Sequence, residues 1–416
     1  MNVYGNGGND QAKLYGSTGD DTYSASPTSG QMISSGMTTN SFDFRYLAGY
    51  AIEGGSDTAN ISDLGQELDD VFTFTVSPDD LLSLQNQDVY VPTIRSMATM
   101  VNNGGLSLSA YNFLYVSADS TYGADEANLY GSPGPDKFIG QPRFDASSYA
   151  KLTGTYEDYT YECKVNEFRY ASAAAKESKL SPDQEDVAFL YDSPGSDTFT
   201  GAPEYSKIEG ENFYYRADNF KRVKAYSENG GEDVAKLYDS AGDDVFLGAH
   251  DATKLYGTDG SYYIDAYEFK HLSAYAKYGG YDTASLTGSA GNDTYLTMPE
   301  YAKMTRSEDD GSQSYYRAYY FKEVVADGMG GTNTAHLLDS EYADKLLAGW
   351  EVDEYGNPTD DSFASLSNDN YADFNYIVKH FAEVTVTSTS SGDKKDVDET
   401  IDFILSTEGL WGDLND

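Results

Sequence analysis

Cysteine is all but missing from this chain: Cys163 is the single one among 416 residues. That excludes an intramolecular disulfide framework and a zinc site built on thiolates, and leaves the lone thiol as a passive strand or turn residue. Histidine is nearly as scarce. His250, His271, His336 and His380 are the four present, and no two stand at metal-ligand spacing, so no histidine-based site is expected. Basic residues are also few: 27 Lys and Arg face 69 Asp and Glu, a formal net charge of -42. Nucleic acid and anionic membranes are poor partners for such a surface, and cations are good ones. No segment approaches 18 consecutive apolar residues, so no membrane helix is expected. The opening MNVYGNGGND lacks the charged and apolar regions of a secretory signal. Walker loops, dinucleotide fingerprints and serine nucleophile elbows are missing too.

What the chain does hold is glycine and aromatics, with 40 Gly, 38 Tyr and 19 Phe. An acidic tail kept in solution would not carry that aromatic load, so the chain is expected to be ordered. Short alternating runs such as VAKLY and KLYG, separated by glycine-rich turns, point to an all-β fold.

One motif recurs seven times: DQAKLYGSTGDDTY from Asp10, DTANISDLGQELDDVF from Asp57, DEANLYGSPGPDKF from Asp125, DVAFLYDSPGSDTF from Asp186, DVAKLYDSAGDDVF from Asp233, DTASLTGSAGNDTY from Asp282 and NTAHLLDSEYADKL from Asn333. Successive starts are 47, 68, 61, 47, 49 and 51 residues apart. A period of this size means a solenoid, a propeller or a domain array. The uneven spacings favour a parallel β-helix or β-solenoid of about seven units, because a rung absorbs an insertion as a side loop. Residues 1–72 then hold units one and two, 73–124 an insertion, and 125–346 units three to seven with a second insertion at about 146–185. The rest, 347–416, form a divergent C-terminal cap or assembly segment. Alanine fills one slot in every copy, from Ala12 and Ala59 to Ala335, and an aromatic fills another in six, Tyr23, Phe72, Phe138, Phe199, Phe246 and Tyr295, with Leu346 in the last. Stacked like on like, these would form continuous apolar columns.

Aspartate precedes that aromatic slot by two residues in every copy, at Asp21, Asp70, Asp136, Asp197, Asp244, Asp293 and Asp344, and a second follows a paired glycine at Asp10, Asp57, Asp233 and Asp282. The grammar is GG-x-D, short strand, S-x-G-x-D, short strand. Asp in such turns can hydrogen-bond its own backbone while Gly supplies positive φ, with no ion needed. Stacked coils would add a cost: carboxylates about 5 Å apart repel by roughly 1 kcal/mol in water and roughly 3 at an effective dielectric of 20. A divalent ion would remove it. In these residues the chain resembles the haemolysin-type (RTX) calcium repeats, G-G-x-G-x-D-x-U-x, which implies Ca²⁺ held by the turn aspartates between rungs of a parallel roll. Here the middle glycine is missing, and the two Asp of a unit lie 11 residues apart. The A-x-L-Y-D-S-x-G-x-D arrays are also similar to those of large secreted proteins of aquatic bacteria, which implies a surface or matrix role.

The expected function is therefore an extracellular, cell-surface structural or adhesive protein, calcium-stabilised and not an enzyme. Its first residues match the tail of a unit, so either residues are missing upstream or another copy covers that end; head-to-tail assembly of copies into a filament is expected, the C-terminal segment docking on the next copy. The alternative is a β-helix that binds or cleaves extracellular polysaccharide. Its acid pairs would be Asp20/Asp21, Asp79/Asp80, Asp243/Asp244 or Asp309/Asp310, with Arg95 and Arg169 as anion contacts, or it would offer a sugar-binding strip of Tyr15, Tyr130, Tyr191 and Tyr238.

Overall fold

The structure, a computed structural model, describes residues 1–52, 54–63, 69–76, 96–121, 123–142, 148–156, 159–176, 185–249, 253–307, 313–353, 355, 357–368 and 374–414. Among them there is no helix, and the strands gather into long, largely parallel sheets with the build of a β-solenoid. Arg95, His250 and the acid pairs Asp79/Asp80 and Asp309/Asp310 lie outside the described residues. The chain divides into two compact units, residues 1–197 with 204–225 and 229–231, and residues 198–203 and 226–228 with 232–416.

In the first unit a simple rule places each strand. Thr22–Ser26, Ser29–Ser34 and Met37–Phe42 form an antiparallel meander within one sheet. The chain then crosses to Tyr46–Tyr50 in the other sheet, beside Gln11–Tyr15, and returns to Thr58–Ser62, parallel to Thr22–Ser26. The next meander, Asp70–Thr75, Met97–Asn102 and Ser107–Tyr111, forms in that other sheet. A third, Asp136–Gln141, Tyr149–Tyr156 and Tyr159–Asn166, is back in the first. The second unit follows the same rule, with meanders at Asp244–Gly248 to Tyr263–Tyr267, Asp293–Met298 to Gln313–Tyr319, and Lys345–Val352 to Phe374–Lys379.

Five strands per copy is an odd number, so consecutive copies of the motif fall on opposite sheets. This overturns the like-on-like columns expected from the sequence. The recurring alanine lies instead directly beside the recurring aromatic of the preceding copy: Tyr23 with Ala59, Phe72 with Ala127 and Phe138 with Ala188 in the first unit; Phe199 with Ala235, Phe246 with Ala284 and Tyr295 with Ala335 in the second. All these side chains are buried. A small residue is required there because the adjacent coil, about 4.8 Å away, already fills the core with a ring.

Segments expected to be irregular carry the same architecture. Of the 73–124 segment, Met97–Asn102, Ser107–Tyr111 and Tyr115–Asp119 are ladder strands. In the C-terminal segment Glu383–Thr387 lies parallel to Thr334–Leu338, and Lys394–Val397 continues the ladder beside Lys345–Val352.

Candidate metal centre

Each S-x-G-x-D turn closes on itself. Ser17 donates its backbone N–H (2.6 Å) and its hydroxyl (3.0 Å) to Asp21, while Gly19 donates N–H to Ser17 Oγ. Ser132 and Asp136, Ser193 and Asp197, Ser240 and Asp244, Ser289 and Asp293, and Ser340 and Asp344 repeat the pattern. This is the local hydrogen bonding that suits Asp and Ser to turns.

A second tie joins neighbouring coils. The backbone N–H of Asp21 donates to Asp57 Oδ1 at 2.9 Å, of Asp70 to Asp125, of Asp136 to Asp186, of Asp244 to Asp282 and of Asp344 to Asp393. Of the two expected aspartate sets, Asp21 meets Asp57 and Asp244 meets Asp282, in each case the Asp that opens the following copy. In the sixth copy Asn333 takes that role toward Asp293. Asp233 is buried and accepts from Ser227 Oγ, whereas Asp10 is only partly covered and accepts from Asn6 N–H. The paired glycine permits the approach: Gly280 sits at φ 92°, and a Cβ there would lie 2.1 Å from Gly242 O. The two described acid pairs offered for catalysis, Asp20/Asp21 and Asp243/Asp244, are coil ties as well, since Asp20 and Asp243 accept the N–H of Ser56 and Tyr281.

Sequence reading missed Asp125, Asp186 and Asp393 as members of the second set, because their glycine pair is broken or replaced. It also missed a third carboxylate. The residue before the turn serine is Asp at Asp192, Asp239 and Asp339 but Gly at Gly16, Gly131 and Gly288, and in the second copy Asp63 holds the same place before Leu64. Each of these Asp side chains reaches the next coil, where it accepts the N–H of Thr121, Asn229, Tyr278 and Thr389 respectively. At Asp192, Asp239 and Asp339 the signal was the D-S dipeptide, alternating with G-S.

In the second unit the third carboxylate builds two clusters, Asp239–Asp244–Asp282 and Asp339–Asp344–Asp393, with one oxygen from each residue within 4.8 Å of the others. All six residues are buried, and none of them forms an ion pair with Lys, Arg or His among the described residues. Burial pushes the Asp282 carboxyl up to about 7, with Asp244 and Asp239 adding repulsion, and raises Asp239 and Asp339 in the same direction. Hard oxygen donors in such a group suit Ca²⁺.

Other copies handle their charge without a third acid. Tyr161 donates its buried hydroxyl to Asp136; Tyr262 makes the same contact to Asp244 at 2.7 Å, there beside the third acid Asp239. Asp293, with Gly288 and Asn333 around it, has the buried Arg306 guanidinium 4.0 Å away.

Elsewhere, His271 stacks on Tyr315, His336 bonds Thr387, and the half-exposed His380 lies between Asp327 and Asp361. Arg169 is exposed and lies over Tyr170. Cys163 is fully buried, which raises its thiol pKa. The tyrosines of the shared motif slot do not stack on one another, again because consecutive copies change sheets. Tyr15 stacks on Tyr50 and Tyr50 on Tyr111, at 4.9 and 4.7 Å, and Tyr238 on Tyr275 and Tyr275 on Tyr319 at 5.2 and 4.8 Å. Ring faces in these rows lie over one another, while Tyr15 and Tyr130 remain exposed.

No model of a known protein family matches the chain, and no curated protein sequence matches it either.

Proposed function

We propose that this is an extracellular structural or adhesive repeat protein whose coils are stiffened by calcium at a subset of their acidic turns. The observation that carries the reading is the two buried three-carboxylate clusters of the second unit, which have no basic partner among the described residues. Gathering like charges away from water opposes folding unless a cation enters or protons are taken up. A divalent ion bridging adjacent coils converts that repulsion into a cross-link. Loosely built carboxylate sites bind calcium in the range of about 0.1 to 1 mM, typical of extracellular modules, and this supports the location. The partial resemblance to the haemolysin-type repeats points the same way. Head-to-tail association of copies belongs to the same proposal, on the general ground that an edge strand of a parallel ladder accepts a further strand.

The test is thermal melting in calcium and in chelator, with negative-stain micrographs of both samples. A higher melting temperature in calcium, and elongated objects that shorten on chelation, are expected. Equal melting temperatures would reject the calcium reading, and monomers in both samples would reject the assembly.

A further inference from the structure

The two three-acid clusters have the same backbone plan and differ in what satisfies their oxygens. Around Asp339, Asp344 and Asp393 the donors are plentiful. Asp339 accepts the Thr389 N–H and hydroxyl, Asp393 accepts the Ser388 hydroxyl at 2.6 Å, and Asp344 accepts the Asn368 side-chain amide at 2.9 Å besides its own turn serine.

At Asp239, Asp244 and Asp282 several of those donors are replaced. Ala276 follows the strand His271–Tyr275 in the place where Ser388 follows Glu383–Thr387, so Asp282 has no hydroxyl from that position. Gly257 faces Asp244 across the meander, where the neighbouring copy sets Arg306 against Asp293. Asp239 is only 1% exposed; its Oδ2 takes the Tyr278 N–H, but Oδ1 is buried without any hydrogen-bond partner. An ionised oxygen left so is costly, and this one belongs to a carboxylate turned into two others.

We infer that Asp239, Asp244 and Asp282 form a specific divalent-cation site for Ca²⁺, marked out by a third acid, lacking in the G-S turns, whose buried oxygen has no donor, unlike those of Asp339. The inference rests on the calcium reading above and says which turn carries it. Ligand spacing fits without rearrangement: oxygens bound to one Ca²⁺ at about 2.4 Å stand at most about 4.8 Å apart, and the three carboxylates are already within 4.8 Å. Three negative charges select a divalent ion over a monovalent one. At Gly16, Gly131 and Gly288 the third ligand is missing, and a Cβ would strike the turn Asp at Asp21, Asp136 and Asp293. Those turns therefore keep two carboxylates or one.

The experiment uses the full chain, stripped with chelator and titrated with calcium chloride in a calorimeter and with terbium chloride under tyrosine excitation. Tyr262, bonded to Asp244, places a sensitising ring beside the ion. For Asp239→Asn, loss of one bound calcium per chain and of most terbium emission is expected, while Asp339→Asn retains both. Calcium-free Asp239→Asn should also melt above calcium-free wild type, because it removes an unpaired buried charge. Asp239→Gly, the residue found in the other turn form, should lose the ion in the same way and guards against an effect peculiar to asparagine. Undiminished binding in both Asp239 variants would overturn the site while leaving the calcium reading intact. A wild-type chain that binds neither ion would overturn both.

Discussion

Ala235 shows how a single position carries the packing. It is fully buried beside Phe199 of the adjacent coil, and the next residue, Lys236, faces solvent. Ala235→Leu forces extra methylenes against a ring that cannot retreat, with an expected loss of about 1–3 kcal/mol in a urea melt. Lys236→Leu on the outer face should change stability by less than about 0.5 kcal/mol. Equal effects would mean that the alanine slot is not packed as described. The slot itself was plain in the sequence, since every copy keeps a small residue there. Its partner was not, because period-two alternation identifies the inward face and is silent about which strand lies alongside. The aspartates divide similarly. Those of S-x-G-x-D stood out by recurrence, whereas Asp239 alternates with glycine between copies and gains its role only by reaching Tyr278 in the next coil.

At the scale of the element, the short strands and glycine turns were legible because strand and turn chemistry are local. Five strands per copy were also visible, as in VKAY, VAKLY, DVFLG, TKLYG and YYIDAY. What local pattern does not contain is the pairing sense. Three of the five form a meander held by antiparallel bonds, and the other two pair only with preceding and following coils. The odd total then moves each new copy to the opposite sheet, so equivalent turns do not stack. Unlike turns meet instead, and the tie from Asp244 N–H to Asp282 is the consequence. Asp393 was overlooked for a related reason: SSGD stands where GGxD was sought, although it caps Asp344 as Asp282 caps Asp244. Long-range pairing of this kind fixes the site, and no single motif spells it out.

The whole molecule concentrates carboxylates inside its turns, and that gives its stability a definite pH dependence. Burial pushes Asp136 up to about 7, and Asp57, Asp70 and Asp186 up to about 6, from the ordinary 3.8. A carboxyl whose folded pKa is raised holds its proton more tightly in the folded chain than in the unfolded one. Between about pH 4 and 7 the folded state therefore binds more protons, and stability falls as pH rises through that window. Self-repulsion from a net charge of -42 acts in the same direction. In calcium-free buffer the protein should melt at a higher temperature at pH 5 than at pH 7.5, and Asp136→Asn should flatten part of the slope. A melting temperature that rises from pH 5 to 7.5 would show that the buried carboxyls are ionised at little cost.

The central claim is that the charge of these turns is settled site by site, by amides and hydroxyls in most and by a cation where a third acid leaves an oxygen bare. Anomalous diffraction from crystals grown with terbium reads this directly. A peak enclosed by Asp239, Asp244 and Asp282, with none between Asp21 and Asp57 or between Asp136 and Asp186, is the result expected. Peaks at those two-acid turns with the Asp239 cluster vacant would contradict it.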